Sequence, residues 1–251
     1  MIRAAYAVPR RTVLEDGKEA VFNENEVQEI SCYYIQDKFG YCKLMDEATY
    51  QRNQEAVESD NRFVLKCKNT DRVLLFTDKG NMHQIKCQDV PLGKFKDKGV
   101  PIDNISKYNA NQEEIIYANV KSALAGKTLI FATRDAMVKL VETSEFETAN
   151  KLVAATKLGE GDRLIEIRAM AYETDIVFET HDGYFLRCSL SDIPLQKKNS
   201  KGVIGIRLGK CDTLDHFYLL GTEPVEITYR KKPLSLNRLK LAGRAGKGTK
   251  H

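Results

Sequence analysis

The sequence predicts an all-β, propeller-like protein built from a repeated hairpin, and three observations carry that reading. The first is self-similarity: RVLLFTDKGNMHQIKCQDVP, from Arg72 to Pro91, and DIVFETHDGYFLRCSLSDIP, from Asp175 to Pro194, share length, pattern and ending. The second is spacing. KTLIFATRDAMVKLVETSEF from Lys127, SCYYIQDKFGYCKLMDEATY from Ser31 and a weaker FYLLGTEPVEITYRKKPLSL from Phe217 extend the series. Their turn positions, Gly40, Gly80, Ala136, Gly183 and Pro224, lie 40, 56, 47 and 41 residues apart, separations of propeller-blade size. The third is alternation: β-branched and aromatic residues flank a two-residue polar-Gly turn such as Lys79-Gly80 or Asp182-Gly183, the mark of a hairpin.

Between the copies lie further strand-like runs, EEIIYANV, DRLIEIRAM and TLDHFYLLG. With them each unit holds about four strands, so about five four-stranded blades are expected. A lone hairpin is marginal in water. Units stacked side by side share a core, here expected from Leu75, Phe76, Ile130, Phe131, Val177 and Phe178. Helix is sparse: EDGKEAVFNENEVQEI and ATYQRNQEAVES lack a long amphipathic period, and at most a short helix is expected in either.

At 251 residues, 42% of them hydrophobic and 29% charged, the chain has the composition of an ordinary globular protein. No run of about 18 apolar residues predicts a membrane span, and no apolar stretch near Met1 resembles a secretory signal, so a cytoplasmic protein is expected. The six cysteines, Cys32, Cys42, Cys67, Cys87, Cys188 and Cys211, are scattered without a C-x-x-C pair and are read as reduced, packed thiols rather than metal ligands. Net charge is only +4, but it is unevenly spread: residues 14–60 hold twelve acidic and four basic groups, whereas 228–251 hold eight basic groups and no acidic one. Such a basic terminus suits a polyanion.

The stretch RVLLFTDKGNMHQIKCQDVPLGKFKDKGVPIDNI resembles the repeat of the C-terminal domains of bacterial type IIA topoisomerase A subunits, those of gyrase and topoisomerase IV, in which a hairpin precedes a basic Lys-Gly-Val/Thr-Pro-Ile loop. DIVFETHDGYFLRCSLSDIPLQKKNSKGVIGIRL resembles a second such repeat, and the likeness runs from about Pro9 to Lys250. The resemblance implies a β-pinwheel, a ring in which each blade borrows a strand from its neighbour. It implies three parts: a junction at 1–13, where Pro9-Arg10-Arg11-Thr12 would leave the catalytic part of the subunit, a DNA-binding pinwheel at 14–242, and a basic tail at 243–251. It also implies the partners: double-stranded DNA, the breakage-reunion part of the same subunit, and the ATPase B subunit of an ATP-dependent enzyme. No segment resembles the DNA-gate domain, so the cleavage tyrosine and its metal-holding carboxylates are expected outside this sequence, and no cofactor is expected within it. The gyrase box Gln-Arg-Arg-Gly-Gly-Lys-Gly is absent from the first repeat, which reads Thr49-Tyr50-Gln51-Arg52-Asn53-Gln54-Glu55; that departure favours a topoisomerase IV-like domain over one that wraps DNA strongly.

Two loops concentrate positive charge. Gly93 to Gly99 carries Lys94, Lys96 and Lys98, and Gln196 to Gly202 carries Lys197, Lys198 and Lys201, each beside glycines that let a backbone approach phosphate. Basic residues also follow the hairpin turns, as Lys43, Lys86, Lys139 and Arg187, and a ring of units would turn that recurrence into a track that neutralises phosphates without reading sequence. Arg244 and Lys247 in Gly243-Arg244-Ala245-Gly246-Lys247-Gly248-Thr249 complete the candidate set; this run resembles part of the gyrase box. A nucleotide loop needs Gly-Lys-Ser/Thr leading into a helix, whereas here Gly248 stands directly after Lys247.

Catalysis by this chain is not expected. His83, His181, His216 and His251 lack metal-ligand spacing, and no nucleophile has a recognisable base. The rival reading is a propeller-like protein-interaction scaffold whose lysines serve solubility alone.

Overall fold

In the computed structural model, which describes residues 28–251, the strands pair in the order that strand borrowing predicts. The first hairpin, β1 (Ser31–Asp37) and β2 (Tyr41–Asp46), is flanked by β3 (Asn61–Lys68). The second, β4 (Arg72–Thr77) and β5 (Asn81–Lys86), is followed by a short strand, β6 (Val100–Pro101), that leaves its own unit and pairs with β2. The pattern then repeats. β7 (Ile115–Val120) flanks β4, and β8 (Thr128–Thr133) and β9 (Met137–Glu142) form the third hairpin. β10 (Leu152–Ala154) returns to β5, while β11 (Leu164–Ala169) flanks β8. The fourth hairpin is β12 (Asp175–Thr180) and β13 (Tyr184–Ser189); β14 (Val203–Ile204) returns to β9, and β15 (Leu214–Leu220) flanks β12. A fifth hairpin, β16 (Glu226–Tyr229) and β17 (Lys232–Ser235), sends β18 (Thr249–Lys250) back to β13.

The result is four four-stranded sheets and one two-stranded sheet among the described residues, where the sequence predicts about five four-stranded blades. The fifth sheet is short because the weak copy from Phe217 begins inside β15, a strand of the fourth blade, and only its second half forms a new hairpin. Its turn falls at Arg230-Lys231, both left-handed at φ 47° and 65°, rather than at Pro224. The stretch 243–251 supplies a loop and the borrowed strand β18. The expected junction at 1–13 and most of the segment 15–30 lie outside the described residues.

The turns also differ from expectation. The first four hairpins close through three residues, the last of them left-handed: Gly40, Gly80, Ala136 and Gly183 have φ between 57° and 85°. This is the type I turn with a left-handed third residue, not the two-residue form. A polar side chain at the strand end fastens each turn. The hydroxyls of Thr133 and Thr180 accept the amides of Met137 and Tyr184, both at 3.2 Å, and the Asp37 carboxylate accepts that of Tyr41 at 2.9 Å.

The apolar runs are continuous because both faces of these strands are buried. Val73 and Leu75 of β4 pack with Tyr34 and Leu44 of the first blade, while the alternate Leu74 and Phe76 pack with Leu129 and Phe131 of the third. Ile130 and Phe178 repeat this between the third and fourth blades. All six core residues expected from the sequence are 1% exposed or less. Strands β3, β7, β11 and β15 touch one another in turn, so they line the axis and the borrowed strands form the outer edges.

Among the described residues helix enters only as short pieces. ATYQRNQEAVES folds as α1 (Glu47–Arg52) and α2 (Gln54–Asp60), with Asp46 capping the first by accepting the Thr49 amide at 2.8 Å. Tyr50 stacks on Tyr33 at 3.7 Å between ring centres, and Val57 packs beside Ile35 and Met45.

Gly99, Gly202 and Gly248 precede or adjoin three of the borrowed strands, all left-handed at φ 81°, 92° and 76°. A Cβ on each would collide with the carbonyl of Cys42, Val138 or Phe185 on the neighbouring blade. Gly126→Ala, at φ 71° with open space around it, is expected to cost on the order of 1 kcal/mol for the left-handed backbone alone. Gly202→Ala adds the collision and is expected to lower the urea midpoint clearly further; equal shifts in the two variants would sink the close-packing argument.

Candidate nucleic-acid interface

Three loops of equal length connect a one-turn 3-10 segment to a borrowed strand: Val90 to Val100, Ile193 to Val203 and Leu239 to Thr249. Each runs along the outer edge of the preceding blade and is held to it by backbone bonds. Leu44 N–H donates to the Pro91 carbonyl at 2.8 Å and Gly93 N–H to the Leu44 carbonyl at 2.8 Å. Leu140 is gripped in the same way by Pro194 and Gln196, at 3.1 and 2.8 Å, and Ala242 N–H donates to the Arg187 carbonyl at 2.9 Å. The loops therefore lie on the perimeter of the ring. Gly99 and Gly202, which the sequence reading turns toward phosphate, face the neighbouring blade instead, and Gly248 does the same.

Lys43 and Lys139 turn inward. Lys43 is 8% exposed and its Nζ donates to the carbonyls of Lys94, Phe95 and Asp97 at 3.0, 2.8 and 2.6 Å. Lys139 is 1% exposed and donates to Lys198 and Ser200 at 2.7 and 2.9 Å, with longer contacts to Lys197 and Ala155. Each ammonium fills a cage of carbonyls in the next repeat's basic loop. Arg187 performs a related task with different geometry: Nε and one terminal nitrogen bind the Asp175 carboxylate at 2.8 and 2.6 Å, and the other reaches the carbonyls of Asn237 and Leu239. These three side chains hold the rim from within, so the track expected from their recurrence is not one they can form directly. The register explains the difference. Lys43 and Lys139 occupy equivalent places after their turns, Arg187 stands one residue on and so on the opposite face, and Lys86 lies at the far end of its hairpin, exposed and paired across the strands with Arg72.

In the second blade the place of Lys43 is taken by His83, fully buried, whose Nε2 lies 2.7 Å from the Glu113 carboxylate. That carboxylate also accepts from Thr77 and Asn81 at 2.7 and 3.0 Å. Burial works against its charge, but the bonds from Asn81 and Thr77 and the imidazole outweigh it and hold its pKa below the usual carboxylate value. The loop that meets this blade is shorter and carries no Lys-Gly sequence; Leu152 pairs directly with His83.

The outward face of the three long loops is cationic. Lys94, Lys96, Lys98, Lys197, Lys201 and Lys247 are exposed, and none of them is in an ion pair among the described residues. Lys98, Lys201 and Lys247 each precede the left-handed glycine. Lys98 lies 4.1 Å above the Tyr41 ring and Lys247 5.2 Å above that of Tyr184, tyrosines that follow the turn glycines of the neighbouring blade and that lysine spacing alone does not point to. Lys198 and Arg244 are half-buried and partly committed: Lys198 Nζ donates to the Glu145 carbonyl at 2.5 Å, and Arg244 reaches the carbonyls of Asp192 and Ile204 at 3.2 and 2.8 Å. Among the described residues no group of three His, Cys, Asp or Glu is placed to hold a metal ion, and the six cysteines are free thiols.

Burial lowers the Lys139 ammonium to about 8 from its ordinary 10.5, against the pull of Glu145. The folded chain then holds fewer protons than the unfolded one between those values, so stability rises with pH across that window. Wild type is expected to gain urea resistance between pH 8 and 10.5 relative to Lys139→Met. Parallel pH profiles for the two proteins would show that the lysine is not desolvated.

Comparison with known proteins agrees with this architecture. The family described as "DNA gyrase C-terminal domain, beta-propeller" matches residues 71–120, 127–169 and 174–219, which are the second, third and fourth blades. The chain is 29% identical over 225 residues to the A subunit of DNA gyrase from Lawsonia intracellularis, covering 85% of this chain and 27% of that protein. It is 25% identical over 264 residues to the A subunit of DNA topoisomerase 4 from Streptococcus pneumoniae, covering 98% and 32%. The chain thus spans about a quarter to a third of the length of these relatives. Among solved structures, the C-terminal domain of DNA topoisomerase IV aligns with TM-score 0.78 at 23% identity, over 89% of this chain and 73% of that one. The DNA gyrase A C-terminal domain aligns with TM-score 0.60 at 15% identity, over 87% and 76%. Blades completed by their neighbours, basic loops on the outer rim and three matched repeats lead to one assignment: the chain belongs to the family of DNA gyrase C-terminal, β-propeller domains.

Proposed function

We propose that this chain is the DNA-holding part of a type IIA topoisomerase A subunit, binding duplex DNA along its perimeter and doing no chemistry itself. The observation that carries the reading is the set of six exposed lysines on three equivalent rim loops, none of them in an ion pair among the described residues, with two loops braced from behind by a buried lysine and the third by the half-buried Arg187. Braced cations suit phosphate contacts that position a duplex without reading its bases. In the whole enzyme the breakage-reunion part of the subunit, with its tyrosine, and the ATPase B subunit would supply strand cleavage and energy, in the cytoplasm where the chromosome lies. Among the described residues no helix is long and apolar enough to cross a membrane. Topoisomerase IV-like behaviour is the part of the proposal that rests on α1 and α2, which occupy Thr49 to Glu55 where the gyrase box would stand.

If each of the six lysines neutralises one phosphate, log K is expected to fall with log salt at a slope of about −5. Changing Lys94, Lys96 and Lys98 together to Glu is expected to weaken binding and flatten that slope by about 3. The melting curve should hold, because the three side chains are exposed and the Lys43 cage uses only backbone carbonyls of this loop. Lys38→Glu, a charge reversal on the first hairpin turn and outside the three loops, serves as the control. Equal losses from the triple change and the control, or a wild-type slope near zero, would end the rim proposal.

A further inference from the structure

The same three loops carry a feature that phosphate binding does not use. Leu92, Leu195 and Leu241 are 70%, 55% and 54% exposed, and each is the same residue of its loop. Exposed leucines scattered singly are ordinary; one repeated in register on three blades of a cationic rim is not. Nor can these side chains fold back. The residues beside Leu92 and Leu195 are hydrogen-bonded to the neighbouring strand on both sides, and Leu241 bridges to Arg187 in the same parallel manner, so each leucine is held at the edge and stands outward.

A protein partner would need a contiguous apolar patch of several hundred Å², whereas these leucines sit on separate blades with lysines between them. Bent DNA presents the complementary pattern. Its phosphates meet the lysines, and its minor groove turns inward once per helical turn, offering sugar and base-edge surface to isolated apolar side chains. We infer that Leu92, Leu195 and Leu241 are apolar contacts for the minor-groove side of a bent duplex, one per blade, stabilising the bend rather than adding charge neutralisation. This rests on the DNA reading above.

The test uses the full 251-residue chain and a duplex of about 40 base pairs labelled at both ends, with affinity read across salt and bending by energy transfer. Leu92→Gln, Leu195→Gln and Leu241→Gln combined is expected to leave the melting curve and the salt slope unchanged, to weaken binding about tenfold, which is less than full burial of three leucines would give, and to lower the energy transfer. The matching Leu→Met triple is expected to keep both near wild type. A steep wild-type salt slope with unaltered affinity and bending in the Gln variant overturns this inference alone, whereas a flat wild-type slope removes the DNA reading and the inference together. A Gln variant that changes the salt slope, or that converts a dimer to a monomer in sedimentation, also overturns it, because the leucines would then be shaping the loops or pairing copies of the chain.

Discussion

Each blade lacks its outer strand until the next repeat provides one, and the close approach at Gly99, Gly202 and Gly248 makes that exchange possible. The backbone passes so near the carbonyls of Cys42, Val138 and Phe185 that a Cβ has no room. Because the crossing segment completes the neighbouring sheet, its preceding loop is drawn onto the outside of the ring. Fold and rim are therefore consequences of one act of pairing. The borrowed strands β6, β14 and β18 are only two residues long, too short to persist alone; their stability comes from the sheet they join.

The buried cations extend this coupling. A protonated amine away from water needs its hydrogen bonds made within the protein, and Lys43 and Lys139 find theirs in loop carbonyls contributed by the next repeat. A loop of glycine and lysine would otherwise be among the looser parts of a surface. Here its inward carbonyls are fixed while all its lysines but Lys198 stay in solvent, so the rim joins a rigid interior to a cationic exterior. Where His83 and Glu113 replace the caged lysine, the facing loop is shorter and the rim loses its lysine cluster.

How much of this was legible differs by level. Hairpins, inner strands and core residues could be read because each strand carries an apolar pattern of its own, and Leu75, Phe131 and Val177 had no plausible place but the interior. The borrowed strands could not be read from local pattern: Val100-Pro101 or Thr249-Lys250 has no periodicity, and strand exchange was expected only through the family resemblance. A polar-Gly pair fits both the two-residue and the three-residue closure, so local pattern does not fix the turn type, and only the pairing of Phe76 with Met82 separates them.

For the candidate site, the inventory is legible in the sequence: two lysine loops beside glycines, a basic run at 243–249, and cations after several turns. Tertiary structure decided which cations face solvent. Lys43 and Lys98 are indistinguishable as letters, yet one is caged by carbonyls and the other lies over Tyr41 at the surface. That difference arises from strand register and from which blade a loop crosses, relations between residues some 50 positions apart. Side-chain direction in a sheet reverses with a shift of one residue, so composition sets what the rim contains, and only the paired strands set which way it points.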